Sequence, residues 1–174
     1  MECTFQHDRI SIMKIAFLHG LESSAGCDRV LWLESQGHEV YNPQLEYITD
    51  SSCYENVSNH LSEFKPNLII GSSIGGWFAW NLGKDLGTTV LLLNPAVHSR
   101  TVELEIGCPV RWEGHSKVYM ALGTKDTVVD PETTMEWMCE NDPLDFNPNN
   151  TYWGDYGHRT SLEHFKKVYN KIKI

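Results

Sequence analysis

The stretch "LIIGSSIGGWFAW", residues 68–80, decides how the whole chain is read. Leu68, Ile69 and Ile70 form a short apolar run of the kind found in strands buried on both faces. From Ile74 onward the pattern is that of a helix. Between them stand Gly71, Ser73 and Gly75, the GxSxG spacing of a strand-to-helix elbow that lifts a serine above the end of a sheet. Such a turn forces the serine into a strained backbone conformation, and side chains at either glycine position would collide with it or with the neighbouring strand. The unpaired N–H groups at the start of the helix favour negative charge there.

A serine hydroxyl is a weak nucleophile until a base takes its proton, so the elbow needs a histidine and a carboxylate to orient it. On this kind of scaffold the chain order is Ser, acid, His, each past the end of a strand. "KVYMALG" (117–123) reads as a strand and is followed by "TKDTVVD", which places Asp126 just beyond it. "NTYWGD" (150–155) reads as a weaker strand and is followed by "YGHRT", which offers His158. Most of the other histidines have plainer explanations: His7 lies in the loose start, His60 on a helix face, His98 and His115 in an irregular stretch, His164 inside the last helix. Asp130 is the rival acid, but it precedes Pro131 and reads as a helix N-cap. Asp155, close to His158 in sequence, suits its own turn.

A tetrahedral oxyanion needs N–H donors. One is expected from Ile74, directly after the serine. The second should come from the loop after the first strand, "HGLESSAG", most simply from Leu21, with His19 and Gly20 shaping the turn and Glu22, Ser23 and Ser24 at the mouth.

Further out, apolar runs alternate with amphipathic stretches, the pattern of βαβ units around a parallel sheet. Strands are expected at 14–20, 38–43, 67–71, 89–95, 117–123 and 150–155, and helices at about 26–36, 52–64, 74–86, 131–140 and 160–172, with Gly87 ending the third. Right-handed crossovers then place helices on both faces of the sheet. The expected architecture is one α/β domain over 13–174, with about six mostly parallel strands ordered 2-1-3-4-5-6 and little or no lid. Residues 1–12 read as a dispensable extension outside the fold. The least regular segment, 96–116, is where a small lid or substrate-binding insertion could sit. Trp77, Phe78 and Trp80 follow the elbow and suit packing of that helix better than a ligand cage.

Composition narrows the function classes. The 174 residues suffice for one core, and 41% hydrophobic with 21% charged residues is ordinary for a globular protein. With 23 acidic and 14 basic residues the formal net charge is -9, so nucleic acid is an unfavourable partner. No apolar run approaches a membrane span, and the N-terminus lacks a signal-peptide pattern, so a cytoplasmic location and no membrane partner are expected. Cys3, Cys27, Cys53, Cys108 and Cys139 are scattered and contain no CxxC pair, which fits reduced thiols. No HExxH or GxGxxG is present, so neither a metal nor a dinucleotide cofactor is expected.

Taken together, "FLHGLESSAG", "KPNLIIGSSIGGWFAW", "LLLNPAV", "GTKDTVVD" and "GDYGHR" resemble the small bacterial α/β-hydrolases of the YqiA-like esterase family, over nearly the whole chain from about residue 14. "GSSIGG" and "NPAV" are the most specific parts of the match. The resemblance implies an α/β-hydrolase fold with Ser73 as nucleophile, Asp126 as acid, His158 as base and the His19-Gly20 turn serving the oxyanion site. It further implies hydrolysis of short acyl esters, sometimes thioesters, without a cofactor. The stretch after Pro95 and "WMCENDPLDFNPNN" (137–150) depart from the family pattern, so substrate preference does not carry over. A small-molecule acyl ester is the expected substrate; a thioesterase, an amidase and an idle α/β-hydrolase acting as a binding protein are the alternatives.

Overall fold

The computed structural model describes residues 12–21, 23–98 and 114–174. In chain order the elements are β1 (Lys14–Leu18), α1 (Asp28–Ser35), β2 (Glu39–Tyr41), α2 (Cys53–Phe64), β3 (Leu68–Ser72), α3 (Ile74–Leu86), β4 (Thr89–Leu93), β5 (Val118–Gly123), α4 (Pro131–Asn141), β6 (Phe146–Gly154) and α5 (Leu162–Tyr169). The expectations placed on residues 1–12 and 96–116 fall largely on 1–11 and 99–113, outside the described residues.

The strands form one six-stranded sheet ordered β2-β1-β3-β4-β5-β6, and every neighbouring pair is parallel. Alternation along the strands splits the core in two. Ala16, Leu18, Ile69, Leu92 and Met120 face α2 and α3; Ile15, Phe17, Ile70, Leu91 and Tyr119 face α1 and α5. The middle strands are therefore apolar on both faces, which is why their sequences read as unbroken runs rather than alternating ones. Phe78 and Trp80 are buried in the first of these layers, so two of the three aromatics after the elbow pack the central helix.

The last strand differs from expectation. It begins at Phe146 rather than Asn150, and its pairing with β5 shifts register between Val118 and Met120. "NPNN" reads as a turn, yet at the sheet edge a proline without an N–H and an interrupted ladder cost little. The N-cap at Asp130 is formed: its side chain accepts a hydrogen bond from Thr133 N–H at 2.7 Å, with Pro131 in the first turn. Gly87, at φ 62°, closes α3.

A charged cluster fastens α3 to the entry of β6. Lys84 Nζ, nearly inaccessible, donates to Asp142 Oδ1 at 2.5 Å and to Asp145 Oδ2 at 2.9 Å. Trp80 Nε1 donates to the other Asp142 oxygen at 2.7 Å. Burial alone would raise the Asp145 carboxyl; hydrogen bonds from Lys84, the Ser116 N–H and His115 outweigh it and hold the group below its ordinary value. A carboxyl depressed in this way stabilises the fold above its unfolded pKa, about 3.9, and that contribution is lost as pH falls through the folded value. Lys84→Met removes the ammonium that the two buried carboxylates share. It should lower unfolding free energy at neutral pH by about 3 kcal/mol in urea titrations; a loss under about 1 kcal/mol would mean that the cluster is not structural.

Candidate active site

Ser73 stands between β3 and α3 with φ 54° and ψ -118°. A non-glycine residue with positive φ is held there by its surroundings. Here the clamp is the end of β4: Ser73 N–H donates to Leu93 O at 3.0 Å, and Ser73 O accepts from Ala96 N–H and Gly76 N–H, each at 2.9 Å. Both elbow glycines are obligatory on spatial grounds. A Cβ on Gly71 would lie 2.1 Å from Gly75 O, and one on Gly75 would lie 2.3 Å from Leu18 O. Gly76 is similarly confined, since its Cβ would come within 2.8 Å of Pro95. The segments "GSSIGG" and "NPAV" thus pack against each other.

Asp126 lies in the turn after β5 with its carboxylate wholly buried. Its Oδ1 accepts from Val128 N–H at 2.8 Å and Val129 N–H at 3.0 Å, which leaves Oδ2 facing His158 Nδ1 at 2.7 Å. His158, after β6, brings Nε2 within 2.9 Å of Ser73 Oγ. With Nδ1–H donated to the carboxylate, Nε2 is left as the acceptor in its 2.9 Å hydrogen bond with Ser73 Oγ. The three side chains come from turns after three different parallel strands, separated by 85 and 32 residues in the chain and joined by one hydrogen-bonded line.

The rival acids are otherwise engaged. Asp130 caps α4, and hydrogen bonds from Thr133 hold its carboxyl below the ordinary value. Asp155 pairs with Lys125 at 2.8 Å on the surface. Of the other histidines, His60 stacks on Tyr41, His98 faces Thr134, and His115 meets Asp145. His164 is in α5, beside the ring of Tyr156.

The loop after β1 supplies the opposite wall. His19 is buried and structural: its Nε2 accepts from Leu45 N–H at 2.9 Å, so Nδ1–H donates to Gly20 O at 2.7 Å, while Tyr47 donates its hydroxyl to His19 O. This holds the Gly20 turn against the serine, so closely that a Cβ on Gly20 would lie 3.3 Å from Ser73 Cβ. Among the described residues neither Leu21 N–H nor Ile74 N–H donates a hydrogen bond to the protein. Leu21 and Ser73 border one cleft of about 400 Å³, with Ser23, His158 and Val128 around it. Ser24 is exposed and does not line that cleft, and Glu22 lies outside the described residues.

One supporting residue escaped the sequence reading. Asn94, buried and at φ 43°, donates from Nδ2 to His158 O at 2.7 Å and to Gly157 O at 3.2 Å, while its Oδ1 accepts from Gly123 N–H at 2.8 Å. It ties the histidine loop to the ends of β4 and β5. The available signal was an Asn before Pro at a strand end, where asparagine tolerates the left-handed region.

Among the described residues no group of His, Cys, Asp or Glu is arranged to hold a metal ion, and no helix is long and apolar enough to cross a membrane.

The sequence model of an uncharacterised protein family (UPF0227) matches residues 14–129. No curated protein matches the chain by sequence. Among solved structures, SOBER1 of Arabidopsis thaliana superposes with a TM-score of 0.61 at 16% identity, covering 92% of this chain and 97% of that one. Acyl-protein thioesterase 2 of Zea mays superposes with a TM-score of 0.51 at 13% identity, over 90% of each chain. MGS-M1, an alpha/beta hydrolase from a Medee basin deep-sea metagenome library, gives 0.51 at 13% identity, over 91% of this chain and 75% of its own. The scaffold is therefore the α/β-hydrolase fold.

Proposed function

The chain belongs to the UPF0227 family, and we propose that it is a serine hydrolase of small acyl esters that works through an acyl-enzyme. The observation that carries this reading is the unbroken line from Asp126 through His158 to Ser73 Oγ, at 2.7 and 2.9 Å, set at a strained elbow.

In the proposed reaction Ser73 Oγ attacks the ester carbonyl as His158 Nε2 takes its proton. Asp126, its other oxygen already saturated by two backbone N–H groups, keeps Nδ1–H in place and stabilises the imidazolium. The Leu21 and Ile74 N–H groups, with the positive end of α3 behind Ile74, stabilise the tetrahedral oxyanion. The imidazolium then protonates the leaving alcohol. Water, deprotonated by the same nitrogen, releases the acid and frees the serine. Every proton passes through His158, so no cofactor is called for.

A cleft of about 400 Å³ suits a small or short-chain acyl group better than a large lipid. Thioesters fit the same geometry and belong in the same panel. Unpaired Cys27, Cys53 and Cys139 agree with a reducing, cytoplasmic setting.

Stopped-flow mixing with 4-nitrophenyl butyrate should give a burst of nitrophenol up to one equivalent of enzyme, followed by slower turnover. Acid-quenched samples should carry a butyryl group on the Ser73 peptide. Turnover with the acyl group on another side chain, or no turnover of oxygen esters and thioesters alike, would overturn the assignment.

A further inference from the structure

We propose that Asn94 is the positioning residue of this site: its amide and its chain neighbours fix Ser73, Asp126 and His158 relative to one another, so that it governs proton transfer and not substrate binding. The inference rests on the serine hydrolase reading and adds to it a residue that touches none of the reacting atoms.

The three side chains stand on three separate turns, and each turn is tied to Asn94 or to the residues beside it. On the serine side, Leu93 O accepts from Ser73 N–H at 3.0 Å and Ala96 N–H donates to Ser73 O at 2.9 Å. On the acid side, Asn94 N–H donates to Ala121 O at 2.9 Å, and Asn94 Oδ1 accepts from Gly123 N–H at 2.8 Å. Gly123 O in turn accepts from Asp126 N–H at 3.1 Å. On the histidine side, Asn94 Nδ2 donates to His158 O at 2.7 Å and to Gly157 O at 3.2 Å. Among the described residues the main chains of Gly157 and His158 make no other hydrogen bond.

The partners settle which way the amide points. A backbone N–H can only donate, so the carbonyl oxygen of Asn94 faces Gly123 and its NH2 faces the two loop carbonyls. The side chain is buried, and the backbone stands at φ 43°, a region that asparagine tolerates better than most residues. Other contacts hold the ends of the histidine loop. Lys125 N–H donates to Tyr156 O at 3.0 Å, and Arg29 Nη1 donates to Thr160 O at 3.3 Å. The loop also presses on the end of β5, where a Cβ on Gly123 would lie 2.4 Å from Tyr156 O. At His158 itself the main chain rests on Asn94.

His158 reaches Asp126 Oδ2 at 2.7 Å and Ser73 Oγ at 2.9 Å at the same time. A main-chain shift of about 1 Å would lengthen at least one of these contacts, and misplacement of that size can cost on the order of 10²-fold in rate.

Asn94→Gly tests this directly, since glycine takes the same left-handed backbone and loses only the amide. With 4-nitrophenyl butyrate, kcat per site titrated by a fluorophosphonate should fall by about tenfold to a hundredfold. Acylation and deacylation, separated by stopped-flow mixing, should slow by the same factor, because His158 Nε2 moves the proton in both. Equal slowing of the two steps leaves KM where it was.

A kcat per titrated site within about threefold of the parent, even with a lowered melting temperature, would overturn the proposal and leave Asn94 a purely structural residue. A loss expressed mainly in KM would overturn it as well, by assigning the residue to the shape of the cleft. If Asn94→Gly does not accumulate as folded protein, Asn94→Ser carries the same expectations, because its shorter side chain cannot bridge Gly123 and His158. A parent labelled at Ser73 and active on esters, with variants equally fast, would remove the positioning role alone. A parent with neither labelling nor turnover would remove the hydrolase reading with it.

Discussion

Ser73→Ala should fold like the parent and hydrolyse 4-nitrophenyl esters more slowly by on the order of 10⁶-fold in kcat, the usual cost of removing a triad nucleophile. The size of the effect follows from the elbow. Removing Oγ leaves the backbone clamp from Leu93 O and Ala96 N–H intact, because those bonds use main-chain atoms of residue 73. What disappears is the atom that, in the proposed reaction, His158 Nε2 deprotonates from 2.9 Å away. Binding of substrate to the cleft should survive, so KM should move far less than kcat. Thermal unfolding of the two proteins measured alongside the kinetics separates lost chemistry from lost structure. A variant that retains more than a few per cent of parent turnover would mean that another group attacks the ester.

Asp126→Asn should cost about 10⁴-fold in kcat while leaving the fold in place. The asparagine carbonyl can still accept from Val128 and Val129 N–H, so the turn after β5 keeps its anchor. Its amide nitrogen would then face His158 Nδ1. Two donors cannot share that position, and the imidazole responds by carrying its proton on Nε2, where it can no longer take one from Ser73. Near-normal turnover would pass the orienting role to another carboxylate, and the structure argues against the two obvious ones. Asp130 is committed to the Thr133 N–H, and Asp155 pairs with Lys125 in a largely exposed contact.

The fold was legible because its signals are local. A run such as Leu68, Ile69 and Ile70, short, mostly β-branched and bounded by Gly71, reads as a strand, and Asp130-Pro131 marks a helix start by capping chemistry alone. The helix after the elbow runs from Ile74 to Leu86, the bounds its pattern predicts, because Ser73 and Gly87 interrupt it at both ends. Strand order followed from the alternation of strands with helices and the handedness of crossovers. Edges were less legible. "HEVYNP" yields only three paired residues, Glu39–Tyr41, and β6 starts four residues early through an Asn/Pro stretch that any local rule reads as a turn.

At the candidate site, the meeting of Ser73, Asp126 and His158 could be expected from order and spacing, since each follows a strand. Their supports could not. Asn94 reaches residues 63 and 64 positions away, and Arg29 anchors to Thr160 across 131 residues. Neither contact leaves a periodic trace in sequence, because both depend on how the loops beyond the sheet come together.

The most direct test of the central claim is the intact mass of the protein after reaction with a small fluorophosphonate, measured on the parent and on Ser73→Ala. One stoichiometric phosphonyl adduct on the parent, absent from the variant, is the result this account predicts, since only a serine deprotonated by a neighbouring base attacks phosphorus readily. An adduct that persists in Ser73→Ala, or a parent that stays unmodified under conditions where its fold is intact, would contradict it.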